Sequence, residues 1–454
     1  MTKGHPKHLR WLLALIAGGV LSLFITAIRA TEAQRPAPWL DDPLFKAIAA
    51  RLDSVQAIDN HTHLLRKGNF NSSLLQSPGQ WMWTPIYERA LTEAFGVPVG
   101  PAGLAEAAKL AEAERARQIE KLGIHGYWIA HLERTRTSIV LINQEYRDGT
   151  DGDRLRWVPY ADYLLYPVPA DAAVAQNPNE ESDIKDTQSA ILPGLLREAE
   201  LEAVPRDLGG YVRMVDQTLA RWQKEGAAAV KFTSAYYRTL VFSDVPEQSA
   251  SALYLKGFAR PLSRDDYRAL QDFLVRHIFL ESGRLKLPVH IHTGFGMPPF
   301  VRSREADVRN LDEVLTDVRF FGTQFVLIHA GNMQIDEAGY LGLKPHVWVD
   351  VSALPFLCPV PDNAAWLRKL LIRCPDKILF GTDVSSYAWV PVGPEVMHLA
   401  LCRLGREALY LALAGLVRDG LLDLDQAVKM GEMVLYRNAE KLYGFTVKTA
   451  GSVK

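Results

Sequence analysis

The sequence predicts an α/β fold, a distorted (β/α)8 barrel with long insertions in its βα loops. Short apolar runs rich in β-branched residues alternate with amphipathic helical patterns, which is typical of parallel strands joined by helices. Eight such runs occur, and eight units of this kind favour a closed barrel over an open sheet.

Each predicted strand is bounded by Gly, Pro or polar residues. In chain order the strands are 55–60, 138–142, 156–160, 227–232, 287–292, 325–329, 346–351 and 378–382. Helical patterns follow at 209–225, 264–283, 305–321, 362–373, 394–419 and 424–442. Two intervals exceed a simple crossover, namely 64–137, with helical patterns around 84–95 and 102–121, and the loop-rich 163–208. Long loops at the C-terminal face of a barrel tend to cover its active site.

The N-terminal segment 1–33 has the pattern of a secretory signal peptide. Lys3, Lys7 and Arg10 precede an uncharged apolar run, and the small residues Thr31 and Ala33 suit a cleavage site. The run is also long enough for an uncleaved membrane anchor. We therefore expect an exported chain, periplasmic or secreted, with one mature domain at 34–454 and a membrane tether only if the segment stays uncleaved.

Composition excludes several classes of protein. A hydrophobic content of 48% is ordinary for a globular chain, and a net charge of −1 provides no field that would attract nucleic acid. Cys358, Cys374 and Cys402 are too few for a disulfide framework, and we interpret them as small buried residues. A small-molecule substrate is the expected partner.

The first predicted strand ends in H-T-H. His61 and His63 share one side of the strand, where two imidazoles can bind one cation, with zinc or a similar ion expected. Alone, such a pair is as often a surface pair. The argument comes from later strand ends, which also carry ligand-type side chains: Lys231, His290, His292, His329 and Asp383.

Each of these residues also has a structural interpretation. Of the two histidines on the fifth strand we favour His292 as the ligand, with His290 placed behind it or against the substrate. Lys231 could be an ordinary ion-paired lysine, and Asp383 a helix cap. Tyr236 and Arg238 follow the fourth strand, where Arg238 could clamp a substrate carboxylate or simply lie on the surface. Asp59 is expected to be structural, orienting a histidine.

Several motifs together resemble the amidohydrolase superfamily, in its amidohydrolase-related branch. They are D-N-H-T-H-L, A-V-K-F, L-P-V-H-I-H-T-G-F-G, F-V-L-I-H-A-G, I-L-F-G-T-D and N-A-E-K-L-Y-G, and the resemblance spans about residues 50–445. Within that branch, K-F-T-S-A-Y-Y-R and H-T-G-F-G are similar to the amidohydrolase domain of nodulin–glutamine synthetase fusion proteins. Met297, Pro298 and Pro299 depart from that pattern, where an acidic residue is expected.

The resemblance implies a role for each candidate. His61, His63 and His292 match metal ligands, and Asp383 matches the aspartate that binds metal and shuttles the proton. His329 matches a ligand of a second metal, or a partner of water and substrate where one metal is bound. Lys231 falls where members with two metals carry a carbamylated lysine, so one or two divalent ions remain open. Family members often form homo-oligomers.

Three functions remain as hypotheses. The first is hydrolysis of an amide, ester or lactone bond in a small, carboxylate-bearing substrate, with Asp383 moving the proton and His329 helping to stabilise the oxyanion. The second is metal-dependent, non-oxidative decarboxylation, which the same branch includes. The third, a barrel that only binds, is disfavoured because none of the expected ligand positions has lost its ligand-type residue.

Overall fold

The computed structural model describes residues 37–65, 80–99, 103–170, 174–175, 177–294, 296, 301–385 and 393–447. The chain divides into two compact units, 1–47 and 48–454. The described part of the first unit is a 3-10 turn, Pro38–Asp41, and the start of helix α1, Pro43–Leu52, which ends in the second unit. The predicted signal segment and Met297–Pro299 lie outside the described residues. Within the described ranges, no helix combines the length and apolarity that a membrane crossing requires.

All eight predicted strands are confirmed, each within a few residues of its expected bounds. They are β1 (Ala57–Thr62), β2 (Thr137–Asn143), β3 (Leu155–Val158), β4 (Val230–Phe232), β5 (Val289–His292), β6 (Phe325–Ile328), β7 (Val347–Asp350) and β8 (Ile378–Leu379). Every pair is parallel and joins consecutive strands, in the orders β1-β2-β3 and β4-β5-β6-β7-β8.

Backbone hydrogen bonds join these two sheets into a barrel. Between β3 and β4, Lys231 N donates to Pro159 O at 2.8 Å, and a parallel bridge pairs Tyr160 with Lys231. Between β8 and β1, Asn60 N donates to Phe380 O at 2.9 Å and Asp383 N donates to His61 O at 2.8 Å. The fold is therefore the expected (β/α)8 barrel, with distortion at both joins.

Helices fill the connections between strands. After α1 they are α2 (Gln80–Phe95), α3 (Leu104–Thr135), α4 (Pro178–Asp186), α5 (Leu192–Glu198), α6 (Leu208–Lys224), α7 (Glu247–Ala259), α8 (Arg264–Leu285), α9 (Asp312–Thr316), α10 (Ile335–Leu341), α11 (Leu354–Leu357), α12 (Val360–Arg373), α13 (Pro394–Arg418), α14 (Leu424–Glu432) and α15 (Asn438–Tyr443). Single turns of 3-10 or π helix separate several of them.

The predicted helices lie where the structure has helices, but some of them are interrupted. The left-handed backbone of Gly123, at φ 68°, interrupts α3. The pattern at 305–321 is three short pieces, Val308–Leu311, α9 and Val318–Phe320. The interval 163–208, expected to be loop-rich, contains α4 and α5, and the expectation missed α7. Polar side chains dominate α4, so its sequence carries little helical signal beyond its charge.

Buried apolar residues of the strands contribute to two separate clusters. One face packs on the surrounding helices, through residues such as Val230, Ile291 and Leu327. The other fills the barrel interior, with Ile58, Leu141, Val158, Ala229, Val326, Ile328, Trp348 and Leu379. Ala439 of α15 and Val447 belong to this interior cluster, so the C-terminal segment packs against the barrel core. Cys374 and Cys402 are buried, Cys358 is half-buried, and all three are free thiols.

Candidate metal centre

Three predicted ligands converge at the C-terminal ends of β1 and β8. His61 Nε2 lies 3.1 Å from Asp383 Oδ1, and His63 Nε2 lies 3.4 Å from the same oxygen. One donor atom from each of the three residues lies within 4.8 Å of the others, close enough to hold one ion. His61 is buried, whereas Asp383 keeps 24% of its side chain exposed, so the group opens on one side.

The backbone is irregular where it positions these residues. Pairing of β1 with β2 shifts register between Asp59 and Thr62, and such a shift re-aims side chains next to active sites. It lets consecutive residues Asn60 and His61 both bond to interior groups, which a regular strand forbids. Asp383 has a left-handed φ of 58°, held by the bond from its N–H to His61 O.

Two more predicted histidines lie beside this group. The rings of His61 and His329 are 5.2 Å apart between centroids, and those of His292 and His329 are 4.6 Å apart. His329 Nε2 lies 3.9 Å from Asp383 Oδ2. Tyr236, predicted to contact substrate, lies against His292 at 4.4 Å between ring centroids. The structure thus brings together the residues from β1, β5, β6 and β8, as the sequence predicted.

The hydrogen bonds of His329 fix which ring nitrogen carries the proton. Nδ1 lies 3.2 Å from Ser352 O and 2.9 Å from Ser352 Oγ. A carbonyl oxygen only accepts, so Nδ1 donates. Burial lowers the pKa of His329 to about 3 despite nearby Asp383, so the ring is neutral and Nε2 presents a lone pair. His329 can therefore bind a cation or accept a hydrogen bond; the expectation that it helps to stabilise an oxyanion is not supported, because it has no proton to donate there.

The surroundings of His61 fit a bound cation. Asn143 Nδ2 donates to His61 Nδ1 at 2.7 Å, while Asn143 Oδ1 is buried and no described residue offers it a hydrogen bond. A histidine that binds metal through Nε2 carries its proton on Nδ1 and donates it to an oxygen. Turning the Asn143 amide would present that oxygen. Two imidazoles and a carboxylate are a donor set that suits zinc and similar divalent ions.

Electrostatics keep Asp383 ionised. Burial works to raise the pKa of Asp383, but His329 and the hydrogen bonds from His61 and His63 lower it well below the ordinary value. Burial, followed by the charge of Lys231, lowers the pKa of His61 well below the ordinary value. An anionic carboxylate beside the imidazoles of His61 and His329, whose pKa values are both lowered, attracts a cation and can accept a proton.

Lys231 lies on β4 facing this centre. Its side chain is buried, and its Nζ has no hydrogen-bond partner among the residues that the structure describes. Burial lowers the pKa of Lys231 to about 8, against the opposing effect of the carboxylates of Asp383, Asp350 and Asp162. The expectation of an ordinary ion-paired lysine is therefore not met within the described residues, where its ammonium group bonds to no carboxylate.

Two predicted substrate contacts need correction. Arg238 is only 1% exposed, and its guanidinium group bonds to Asp272 and, at 3.1 Å, to Gln271 Oε1 on α8. It braces the loop after β4 against a helix and does not face a substrate. His290 is fully buried and its Nε2 lies 2.7 Å from Tyr443 Oη, so it belongs to the barrel interior behind the centre.

The sequence interpretation missed four residues that hold the ligands in place. Asn143 contacts His61, Tyr160 Oη lies 3.2 Å from His63 Nδ1, and Ser352 holds His329. Asp350 accepts from Ser352 N at 3.0 Å and from His329 N at 3.3 Å. Each of these four is the last residue of a strand or lies just after the strand ends. Their position at strand ends was the sequence signal that could have identified them. The sequence interpretation did not consider that Asn, Tyr or Ser at a strand end could hydrogen-bond to a metal-binding histidine.

Asp59 lies on the outer side of β1, as a structural residue should. It accepts from Thr382 Oγ1 at 2.6 Å and from Thr382 N at 3.0 Å, and His398 Nε2 lies 3.1 Å from its Oδ2. It therefore does orient a histidine, although one on α13 and not one of the ligands. Asp59, His398 and Cys402 form a second group of side chains whose donor atoms lie near one another. Hydrogen bonds already engage both oxygens of Asp59 and both nitrogens of His398.

Comparison with known proteins assigns the family. The model of the family described as Amidohydrolase matches residues 198–445, more than half of the chain. The chain therefore belongs to the amidohydrolase superfamily, whose members generally bind divalent metal. No curated protein sequence matches the chain. Similarity to the nodulin-type fusion proteins stays a prediction.

Solved structures share the fold at low identity. A protein from Lactobacillus casei ATCC 334 named as a metal-dependent hydrolase has 16% identity and a TM-score of 0.56, over 87% of this chain and 97% of that one. Uronate isomerase from Thermotoga maritima has 12% identity and a TM-score of 0.60, over 88% and 97%. Glucuronate isomerase from Caulobacter crescentus has 12% identity and a TM-score of 0.54, over 89% and 95%. At such identity they support the barrel fold alone.

Proposed function

We propose that this chain is a metal-dependent hydrolase that activates water to cleave an amide, ester or lactone bond of a small substrate. The observation that carries the proposal is the convergence of His61, His63 and Asp383 on one point, with Asp383 anionic and partly exposed. These residues would hold a divalent cation, with zinc favoured by the two imidazoles, and that cation would supply polarisation of water and of the substrate carbonyl and positive charge for the carbonyl oxygen.

The residues of the chain would move the proton. Asp383, ionised at neutral pH, accepts the proton of the attacking water and returns it to the leaving group. His329 Nε2, 3.9 Å from the carboxylate, presents a lone pair that can accept the second hydrogen bond of the same water. Two acceptors orient a water molecule better than one, which lowers the entropy cost of attack.

We propose a small substrate. If the substrate carries a carboxylate, a residue other than Arg238 has to bind that group. Arg238 supplies no support, since it is bonded to Asp272. Lys231 is a cationic side chain close to Asp383, and Tyr236 offers an aromatic face next to His292. We therefore keep small carboxylate-bearing amides, esters and lactones as the first substrates to test, beside neutral analogues of each.

The test replaces Asp383 with Asn. Asn keeps an oxygen that can bind the cation but does not accept a proton at neutral pH. We expect turnover of any substrate found in the panel to fall about 10²–10⁴-fold, the usual contribution of a general base. Metal content of the purified variant, measured by mass spectrometry, separates loss of the base from loss of the ion.

Asp376→Asn is the matched control, because Asp376 lies in the exposed turn before β8 and has no contact with the centre. Wild-type turnover by a metal-loaded Asp383→Asn variant would remove the carboxylate from the mechanism. The decarboxylation hypothesis is tested on the same preparation, by measuring carbon dioxide release from hydroxybenzoates. Release of carbon dioxide without hydrolysis of any panel member would replace the proposal.

A further inference from the structure

The long interval between β3 and β4 contacts the loop that carries Tyr236 through the side chain of Asn177. Asn177 directly precedes α4, and its Oδ1 accepts from Glu180 N at 3.0 Å, which caps the helix. Its Nδ2 donates to the backbone oxygen of Tyr236 at 2.9 Å. Because the amide oxygen serves one partner and the amide nitrogen the other, only one orientation of the side chain satisfies both.

The chain on both sides of Asn177 is held in place. Arg264, the first residue of α8, donates from Nε to Val174 O at 3.1 Å and from a terminal nitrogen to Ala175 O at 2.8 Å. Val174 and Ala175 are buried, and so is Glu180 in the first turn of α4. The hydrogen bond that Asn177 donates therefore comes from a packed support and not from a loose surface loop.

Asp162, just after β3, holds the other end of the same loop. Its carboxylate accepts from Thr233 N at 2.6 Å, from Thr233 Oγ1 at 3.0 Å and from Ser234 Oγ at 2.7 Å. Asp162 is buried, so water does not compete for these bonds. The loop between the two anchors is a single 3-10 turn, Ser234–Tyr236, so both ends of the turn that carries the Tyr236 ring are fixed.

The Tyr236 ring is fitted closely against a predicted metal ligand. It lies 4.4 Å from the His292 ring between centroids, with 45° between the ring planes. A Cβ atom at Gly296 would lie 2.8 Å from Tyr236 Cε1 and 3.2 Å from His292 Nε2, so the ring could not keep this place beside a larger residue. Tyr236 is half-buried, and the accessible part of an aromatic ring binds planar apolar groups by stacking.

We propose that Asn177 is a positioning residue that holds the Tyr236 ring against His292, and that this ring forms the wall of the pocket that binds a planar, aromatic part of the substrate. Through this hydrogen bond the interval 163–208 acts on substrate specificity, although none of the candidate ligands lies in it. The position of the ring depends on these contacts alone, whereas its role toward substrate rests on the proposed function.

The variant Asn177→Asp separates the helix cap from the bond to Tyr236. Aspartate keeps an oxygen that caps α4 equally well, but it has no N–H to donate to Tyr236 O. Gln188→Glu is the matched control. Gln188 lies in the same interval, where its Nε2 donates to Val168 O at 2.8 Å, so the same kind of donor is lost from a different bond.

The position of the ring is measured by ¹⁹F NMR on protein that carries 3-fluorotyrosine at position 236 only, purified without substrate. We expect the fluorine signal of Asn177→Asp to move toward that of the urea-unfolded protein, or to broaden, while Gln188→Glu keeps the wild-type signal. An unchanged signal in Asn177→Asp, or an equal change in Gln188→Glu, would overturn the proposal. If Asn177→Asp does not fold, Asn177→Ser, which also caps a helix but is too short to donate to Tyr236 O, gives the same reading.

The role in specificity is tested with a benzyl ester and a butyl ester of the same acid. Loss of stacking should raise KM for the benzyl ester about 2–10-fold in Asn177→Asp and in Tyr236→Leu, with no such change for the butyl ester. The double variant should go no further than Tyr236→Leu alone, because Asn177 acts through the ring. Equal effects on both esters, or additive effects in the double variant, would remove that role. Since the ¹⁹F spectra need no substrate, a failed search for hydrolysis and a failed positioning role are distinguishable.

Discussion

Lys231 and Arg238 show how burial decides what a cationic side chain does. Both are 1% exposed, but Arg238 bonds to Asp272, Gln271 and two backbone carbonyls, whereas Lys231 Nζ has no hydrogen-bond partner in the described part of the chain. A guanidinium group with a buried carboxylate is committed to structure. An amine without a partner and with a lowered pKa is the usual mark of a functional lysine.

The metal content of a Lys231→Met variant follows from this difference. Methionine preserves the length of the side chain but cannot carry a carbamate or a charge. If Lys231 is an amine, we expect one divalent ion per chain in both wild-type and variant protein, measured by mass spectrometry on dialysed samples. Lys185→Met, an exposed change on α4, is the control. Two ions in the wild-type protein and one in Lys231→Met would show a bridging carbamate.

Behind the end of β1, Asp59 of the strand and His398 of α13 form a buried pair. The Asp59 carboxylate accepts hydrogen bonds from the backbone N–H and the hydroxyl of Thr382, the residue before Asp383. The same carboxylate contacts His398 Nε2. Burial lowers the pKa of His398, but Cys402 and Asp59 outweigh it and raise that pKa to about 10. Asp59 and His398 are thus a buried ion pair, with both side chains fully enclosed.

We expect His398→Leu to destabilise the protein by about 3–5 kcal/mol, because it leaves the Asp59 carboxylate buried without its counter-charge. The free energy of unfolding in urea measures the effect. His125→Leu is the control: His125 pairs with Asp151 at 3.0 Å, but its side chain is 59% exposed, so its loss should cost less than about 1 kcal/mol. A similar small loss for His398→Leu would show that the pair does not stabilise the fold.

At the scale of the whole molecule, apolar runs predicted the barrel because strand and helix periodicities are local in sequence. The predicted ligands His61, His63 and Asp383 were found together because strand ends in a parallel barrel share one face. Arg238 could not be placed correctly, and the choice for His290 between a place behind His292 and the substrate stayed open, since their partners Asp272 and Tyr443 are far away in the chain or on another element. The hydrogen bonds of Asp350 with Asn60 and Ser352 depend on side-chain directions that no local pattern encodes.

The central claim is that side chains from β1 and β8 converge on one divalent ion. Anomalous X-ray scattering from crystals of the zinc-loaded protein, collected on both sides of the zinc absorption edge, locates that ion without any knowledge of substrate. We predict one peak per chain, bounded by Nε2 of His61, Nε2 of His63 and the carboxylate of Asp383. A catalytically active protein with no peak there, or with its peak beside Asp59, His398 and Cys402 instead, would contradict the account.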